Sequence, residues 1–139
     1  MERQKKVIDA SVIIKWFISE VDSEKALVLR AEHLNGDSLL IIPELALIEV
    51  INALRYKNTS EQFLKEAISY LYRFQFSIER INEHFLEKAV NISLKNKISI
   101  YDSIYIAVAQ EHGIEMITAD TGLKNISNVG LLNDIKLDR

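Results

Sequence analysis

Four carboxylates stand where apolar framework gives way to something that could do chemistry: Asp9 in VIDAS, Glu49 in PELALIEVINAL, Asp102 in IYDSIYIAVA and Asp120 in MITAD. Three of them directly follow short apolar runs. A charge placed there falls just past the carboxyl end of a buried strand or at the start of a helix, where open α/β sheets bind their ligands. Two like charges about 4 Å apart repel by roughly 1 kcal/mol in water and about 4 kcal/mol at an effective dielectric near 20, so several carboxylates in one crevice call for a cation. Hard oxygen donors select Mg²⁺ or Mn²⁺ over zinc.

Each acid also has a plain structural reading. Asp9 suits a turn, Asp102 and Asp120 suit helix N-caps, and Glu49 suits a solvent-facing stripe. Glu49 fits this least well, because Leu47, Ile48, Val50 and Ile51 flank it and an ionised carboxylate in apolar surroundings is costly unless paired or metal-bound. Two hydroxyls lie close by in sequence. Ser11 is placed to cap a helix or to bind a metal water, and Thr118 to support Asp120 or simply to end a strand.

The elements that would carry these residues follow from hydrophobic period. Strands are expected at 6–8, 39–42, 76–78, 116–118 and 129–131, and helices at 10–17, 23–34, 82–95, 101–112 and 121–125. Pro43 is expected to stop the second strand and open a helix with Leu47, Val50, Ile51 and Leu54 facing the core; Ser60 is expected to open another, with Phe63, Leu64, Ala67, Ile68 and Leu71 inward. Strands separated by helices require crossover connections. The fold class is therefore α/β, a three-layer α/β/α sandwich with a mostly parallel sheet of about five strands. The stretch from Ile104 to Ala109 is apolar all round, which anchors Asp102 on a deeply buried helix.

Composition bounds the rest. With 139 residues, nearly half of them apolar, the chain has material for one core, and we read 1–139 as a single domain. One proline, four glycines and no repeat leave no linker. The absence of cysteine excludes thiolate metal sites and cysteine nucleophiles and is compatible with a reducing compartment. Asp9 and Lys15 interrupt the apolar residues after Lys5 and Lys6, which argues against a secretory signal, and no apolar run approaches the roughly 20 residues of a membrane span. A soluble, cytoplasmic protein without membrane association is expected. A net charge of −3 argues weakly against nucleic-acid binding, although Arg55, Lys57, Lys65, Lys95 and Lys97 offer local basic patches.

The four segments VIDASVIIKWF, PELALIEVINAL, YDSIYIAVAQEHG and ITADTGL, in this order and spacing, resemble a PIN domain. By length the chain most resembles the VapC-type ribonucleases, the toxins of toxin–antitoxin pairs. The resemblance covers essentially the whole chain. It implies that Asp9, Glu49, Asp102 and Asp120 form an acidic site, both catalytic and metal-binding, for one or two Mg²⁺ or Mn²⁺ ions. Glu49, followed by Val50 in the body of its helix, matches the family pattern better than Glu44 does. An RNA substrate, an antitoxin protein and a homodimer are the implied partners.

The expected reaction is endonucleolytic hydrolysis leaving 5′-phosphate and 3′-hydroxyl ends, with Asp9 and Asp102 as direct ligands, Glu49 as ligand or water-orienting base, and Asp120 as second-site or outer-shell ligand. Other readings on the same fold are a housekeeping RNA-processing nuclease and a non-catalytic binding module. Metal-free chemistry would need paired general acid and base, yet His33, His84 and His112 are far apart in sequence. His33 and His112 suit imidazolium ions at helix carboxyl ends. Some of the aromatic residues Tyr56, Phe63, Tyr70, Tyr72 and Phe74 exceed what one core readily hides and point to a homodimer surface.

Overall fold

The computed structural model describes residues 3–137. Its strands are β1 (Gln4–Ile8), β2 (Ser38–Pro43), β3 (Ser77–Glu79), β4 (Met116–Thr118) and β5 (Val129–Leu131). Its helices are α1 (Ala10–Phe17), α2 (Ser23–Leu34), α3 (Leu45–Arg55), α4 (Glu61–Arg73), α5 (Glu83–Asn96) and α6 (Ile100–His112). Short 3₁₀ turns follow β4 at Thr121–Leu123 and β5 at Leu132–Asp134, the second of which hydrophobic period does not signal. Every strand pairing is parallel, in the order β3-β2-β1-β4-β5.

That order sets where the candidate acids lie. The chain winds outwards from β1 through β2 to β3, then returns across the sheet to add β4 and β5 on the other side of β1. Right-handed crossovers travelling in opposite directions lay their helices on opposite faces. Accordingly α1 packs on α2 and α3, and α3 on α4, whereas α5 packs on α6 and α6 lies across β1, β2 and β4. The strand order reverses between β1 and β4, and the crevice at the carboxyl ends of those two strands is the topological switch point.

Local chemistry explains the boundaries. Leu40, Ile41 and Ile42 are all buried, as expected of an inner parallel strand covered on both faces. Ser60, Asn82 and Ser99 are N-caps, each accepting an amide hydrogen bond at 3.0 Å from the third residue beyond. Gly113 ends α6 in the left-handed region at φ +66°. Ser103 through Ala109 is buried throughout, which makes α6 the central helix of its layer.

Two expectations need correction. Pro43 belongs to the end of β2, in register with Glu79, and does not open α3. The strand tolerates it because the β1 pairing ends at Val7 and Ile41, leaving no ladder bond there to lose, while on the β3 side Glu44 N–H donates to Glu79 O at 3.0 Å. Ile68 faces outwards, 39% exposed, because α4 buries only Ala67 and Leu71 fully and leaves a groove against α3. No helix among the described residues is long and apolar enough to cross a membrane.

Candidate functional site

Asp9 follows β1 directly, and its amide still donates to Ile117 O of β4 at 3.3 Å, so its side chain leaves the sheet where the ladder ends. Its carbonyl accepts from Val12 and Ile13 and starts α1, but its carboxylate caps nothing. Instead Ser11 Oγ donates to Oδ1 and Thr118 Oγ1 donates to Oδ2, each at 2.5 Å. These hydroxyls are held in turn: Ser11 Oγ accepts from Ala119 N and Thr118 Oγ1 from Asp120 N, both at 3.0 Å. Asp9 is thereby fixed to the ends of both switch-point strands. The hydroxyls' main role, gripping Asp9, is one that spacing alone did not indicate.

The other three acids arrive from separate elements. Asp102 lies in the first turn of α6, where its amide donates to the Ser99 cap; Ser99, and not Asp102, is the N-cap. Glu49 is half-buried on α3. Tyr105, one turn beyond Asp102 on α6, donates its hydroxyl to Glu49 Oε1 at 2.5 Å. Asp120 is exposed after β4 and does cap the first 3₁₀ turn, its Oδ1 accepting from Gly122 N at 2.9 Å. Glu44 turns away to accept from the Ile81 amide at 3.3 Å.

Electrostatics tie the four acids together. Burial pushes the Asp9 carboxyl up to about 6, against the lowering effect of its two hydroxyl donors, and Asp102 pushes it further upwards. Burial also raises Glu49, with the Tyr105 hydroxyl opposing and Asp102 reinforcing. Asp102 is raised by burial, lowered by Ser99 and raised by Asp120. Asp102 is thus the common neighbour. Burial, together with the Glu49 carboxylate, holds the Tyr105 phenol far above its ordinary value, so it remains an O–H donor.

Among the described residues, no three Asp, Glu or His side chains stand close enough together to enclose an ion. The acids are linked pairwise through Asp102 and do not form a closed cage. Their donor chemistry nonetheless fits a hard divalent cation. All four are carboxylates, three are desolvated, and among the described residues no lysine or arginine pairs with Asp9, Glu49 or Asp102. Buried negative charge without a cationic partner is the condition a divalent ion relieves.

The candidates elsewhere resolve differently. Lys57 pairs with Glu20 at 2.9 Å and Lys65 with Glu61 at 2.7 Å. His84 bonds Glu111 at 2.5 Å and His112 bonds Glu79 at 2.6 Å. His33 is buried: the Leu40 amide donates to Nδ1 at 3.1 Å, so Nε2 carries the proton and donates to Phe74 O at 3.1 Å. It is a neutral bridge, which corrects the expectation of an imidazolium at a helix end. Of the aromatics, Phe74 is buried, Phe63 and Tyr70 are half-buried, and Tyr56 and Tyr72 are exposed.

The PIN domain family profile matches residues 6–129. The chain belongs to the PIN domain family. Ribonuclease VapC3 of Pyrobaculum aerophilum is 30% identical to this PIN-domain protein over 128 residues, 86% of this chain and 92% of that one. Among solved structures, a toxin–antitoxin complex from Klebsiella pneumoniae superimposes with a TM-score of 0.66 at 24% identity, covering 91% of this chain and 97% of that one. VapC20 of Mycobacterium tuberculosis, a Sarcin-Ricin loop cleaving toxin, gives a TM-score of 0.71 at 16% identity, with 89% and 96% covered. These two structures share the PIN fold with the present chain.

Proposed function

We propose that this PIN-domain protein is a metal-dependent endoribonuclease of the VapC type, the toxin of a toxin–antitoxin pair. The observation that carries this reading is Asp9, buried at the switch point, held by two hydroxyls and electrostatically coupled to Asp102, with neither acid in an ion pair among the described residues. The ribonuclease VapC relative supports the RNA substrate.

Asp9 and Asp102 would hold the ion, with Glu49 and Asp120 as further ligands or orienting groups. Bound Mg²⁺ or Mn²⁺ would supply an acidified water and positive charge against the phosphodiester, the chemistry of hydrolysis to 5′-phosphate and 3′-hydroxyl ends. Ser11 and Thr118 keep both Asp9 oxygens in fixed directions, so no reorganisation is required when the substrate arrives. Glu49, whose carboxyl is raised by burial, suits proton acceptance from a water.

The partner surfaces are assigned on exposure. The antitoxin would lie in the groove of about 490 Å³ between α3 and α4, where Leu47, Ile48, Ile51, Leu64, Ile68 and Tyr72 form apolar walls. Of the aromatics expected at a homodimer surface, Phe74 is buried and Phe63 and Tyr70 are half-buried, so homodimerisation would instead use the ridge Leu86, Val90 and Leu94 of α5, exposed at four-residue spacing.

The test is RNA cleavage by purified protein with Mg²⁺ or Mn²⁺ and with EDTA, beside Asp9→Asn and Asp102→Asn. Cleavage should require metal and vanish in both variants. Full activity in either variant, undiminished cleavage in EDTA, or cyclic 2′,3′-phosphate products would refute the assignment.

A further inference from the structure

The phenol of Tyr105 is bonded to one of the four acids, although its sequence context is core. Its neighbours Ile104, Ile106, Ala107 and Val108 are buried and apolar, and Tyr105 itself is 2% exposed. Filling that space needs no hydroxyl. A hydroxyl at this depth needs a partner, and the partner is Glu49 Oε1 at 2.5 Å, 56 residues away on a helix packed with the other face of the sheet. Asp9 and the Ala10 amide also act on the same phenol oxygen. Tyr105 therefore connects the acid of α3 to the helix that carries Asp102.

We propose that Tyr105 is a positioning residue: its hydroxyl fixes the Glu49 carboxylate within the acid cluster by engaging Oε1, and it thereby tunes metal affinity and turnover through Glu49. The proposal rests on the metal-dependent reading above. A carboxylate on a half-exposed helix face otherwise has several staggered rotamers to sample. An O–H donor to an ionised oxygen forms one of the stronger hydrogen bonds and selects one of those rotamers. The side chain also enters from α6, so any movement of Asp102 relative to α3 is transmitted to Glu49 through this bond.

A double-mutant cycle tests it: wild type, Tyr105→Phe, Glu49→Gln and the double variant, with thermal melts to confirm folding of these near-isosteric changes. Each is read by Mn²⁺ affinity in calorimetry and by kcat/KM on a pool of fluorogenic RNA oligonucleotides. Tyr105→Phe should weaken Mn²⁺ binding about 10-fold and lower kcat/KM by a similar factor. In the Glu49→Gln background the same substitution should change neither by more than about 2-fold.

Equal losses in both backgrounds would assign the hydroxyl to the core and overturn the proposal, as would no loss in the wild-type background. The two readouts separate this result from the functional reading. Mn²⁺ binding without RNA cleavage sinks the ribonuclease assignment and leaves the calorimetric cycle to decide Tyr105. Cleavage without Mn²⁺ binding sinks the metal assignment and leaves the kinetic cycle to decide it.

Discussion

Thr118 Oγ1 donates to Asp9 Oδ2 at 2.5 Å across 109 residues of sequence, and the same oxygen accepts the Asp120 amide at 3.0 Å. One hydroxyl therefore holds two of the four acids, at the point where β1 and β4 diverge. Thr118→Val keeps the shape and removes both bonds. Buried polar groups left without partners cost about 1–3 kcal/mol each, so this variant should lose about 2–4 kcal/mol of stability. Its Mg²⁺ affinity should fall about 10-fold. Thr118→Ser should recover most of both, by denaturant melts and calorimetry; a valine variant indistinguishable from wild type would show that the bond is incidental.

Burial of Asp9 costs stability at neutral pH. Burial is the main force raising its carboxyl from the ordinary 3.8 to about 6. For a carboxyl with a raised native value, the stabilising contribution is complete below 3.8 and is lost as pH rises through about 6. The gap between those values corresponds to about 3 kcal/mol. Asp9→Asn carries no charge to desolvate, so in EDTA at pH 7.5 it should melt above wild type, by up to about 3 kcal/mol. Saturating Mg²⁺ should reverse the order by stabilising only the wild type. An asparagine variant less stable than wild type in EDTA would contradict the desolvation account.

His33 drives pH dependence in the opposite direction. Burial lowers it from the ordinary 6.5, with Arg3 adding to the effect, and the neutral ring stacks on Phe74 at 4.4 Å. Its contribution is complete above 6.5 and is lost as pH falls through the depressed native value. His33→Leu leaves the Leu40 amide and the Phe74 carbonyl unbridged. We expect a loss of about 2–4 kcal/mol at pH 7.5 and a weaker decline in stability below pH 6 than in wild type. Parallel acid-induced declines in the two proteins would remove His33 as the source.

Much of this was legible in the sequence, because the signals are local. Asn82 and Ser60 capped the helices their positions suggest, and the all-apolar stretch of α6 is buried as its period implies. The four acids were visible because each interrupts an apolar pattern. Their supports were not. Thr118 and Asp9 meet only through β1–β4 pairing, and Tyr105 reads as core until α3 brings Glu49 to its hydroxyl. Pro43 misled because proline ends strands and begins helices alike, and only the register with Glu79 shows which it does here.

The groove between α3 and α4 is predicted to discriminate partner binding from catalysis. Tyr72 is 66% exposed and lines that groove with Ile48, 73% exposed, and Ile68. Aromatic residues in such positions carry a large share of interface energy. Tyr72→Glu introduces a charge where an apolar helix would seat, yet disturbs no buried contact, so its stability should stay within about 0.5 kcal/mol of wild type. RNA cleavage by the isolated protein should be unchanged. Binding of the proposed antitoxin partner should weaken at least 10-fold, by calorimetry or by co-purification after joint expression. Unweakened binding would place the partner elsewhere, with the α5 ridge of Leu86, Val90 and Leu94 as the next surface to substitute.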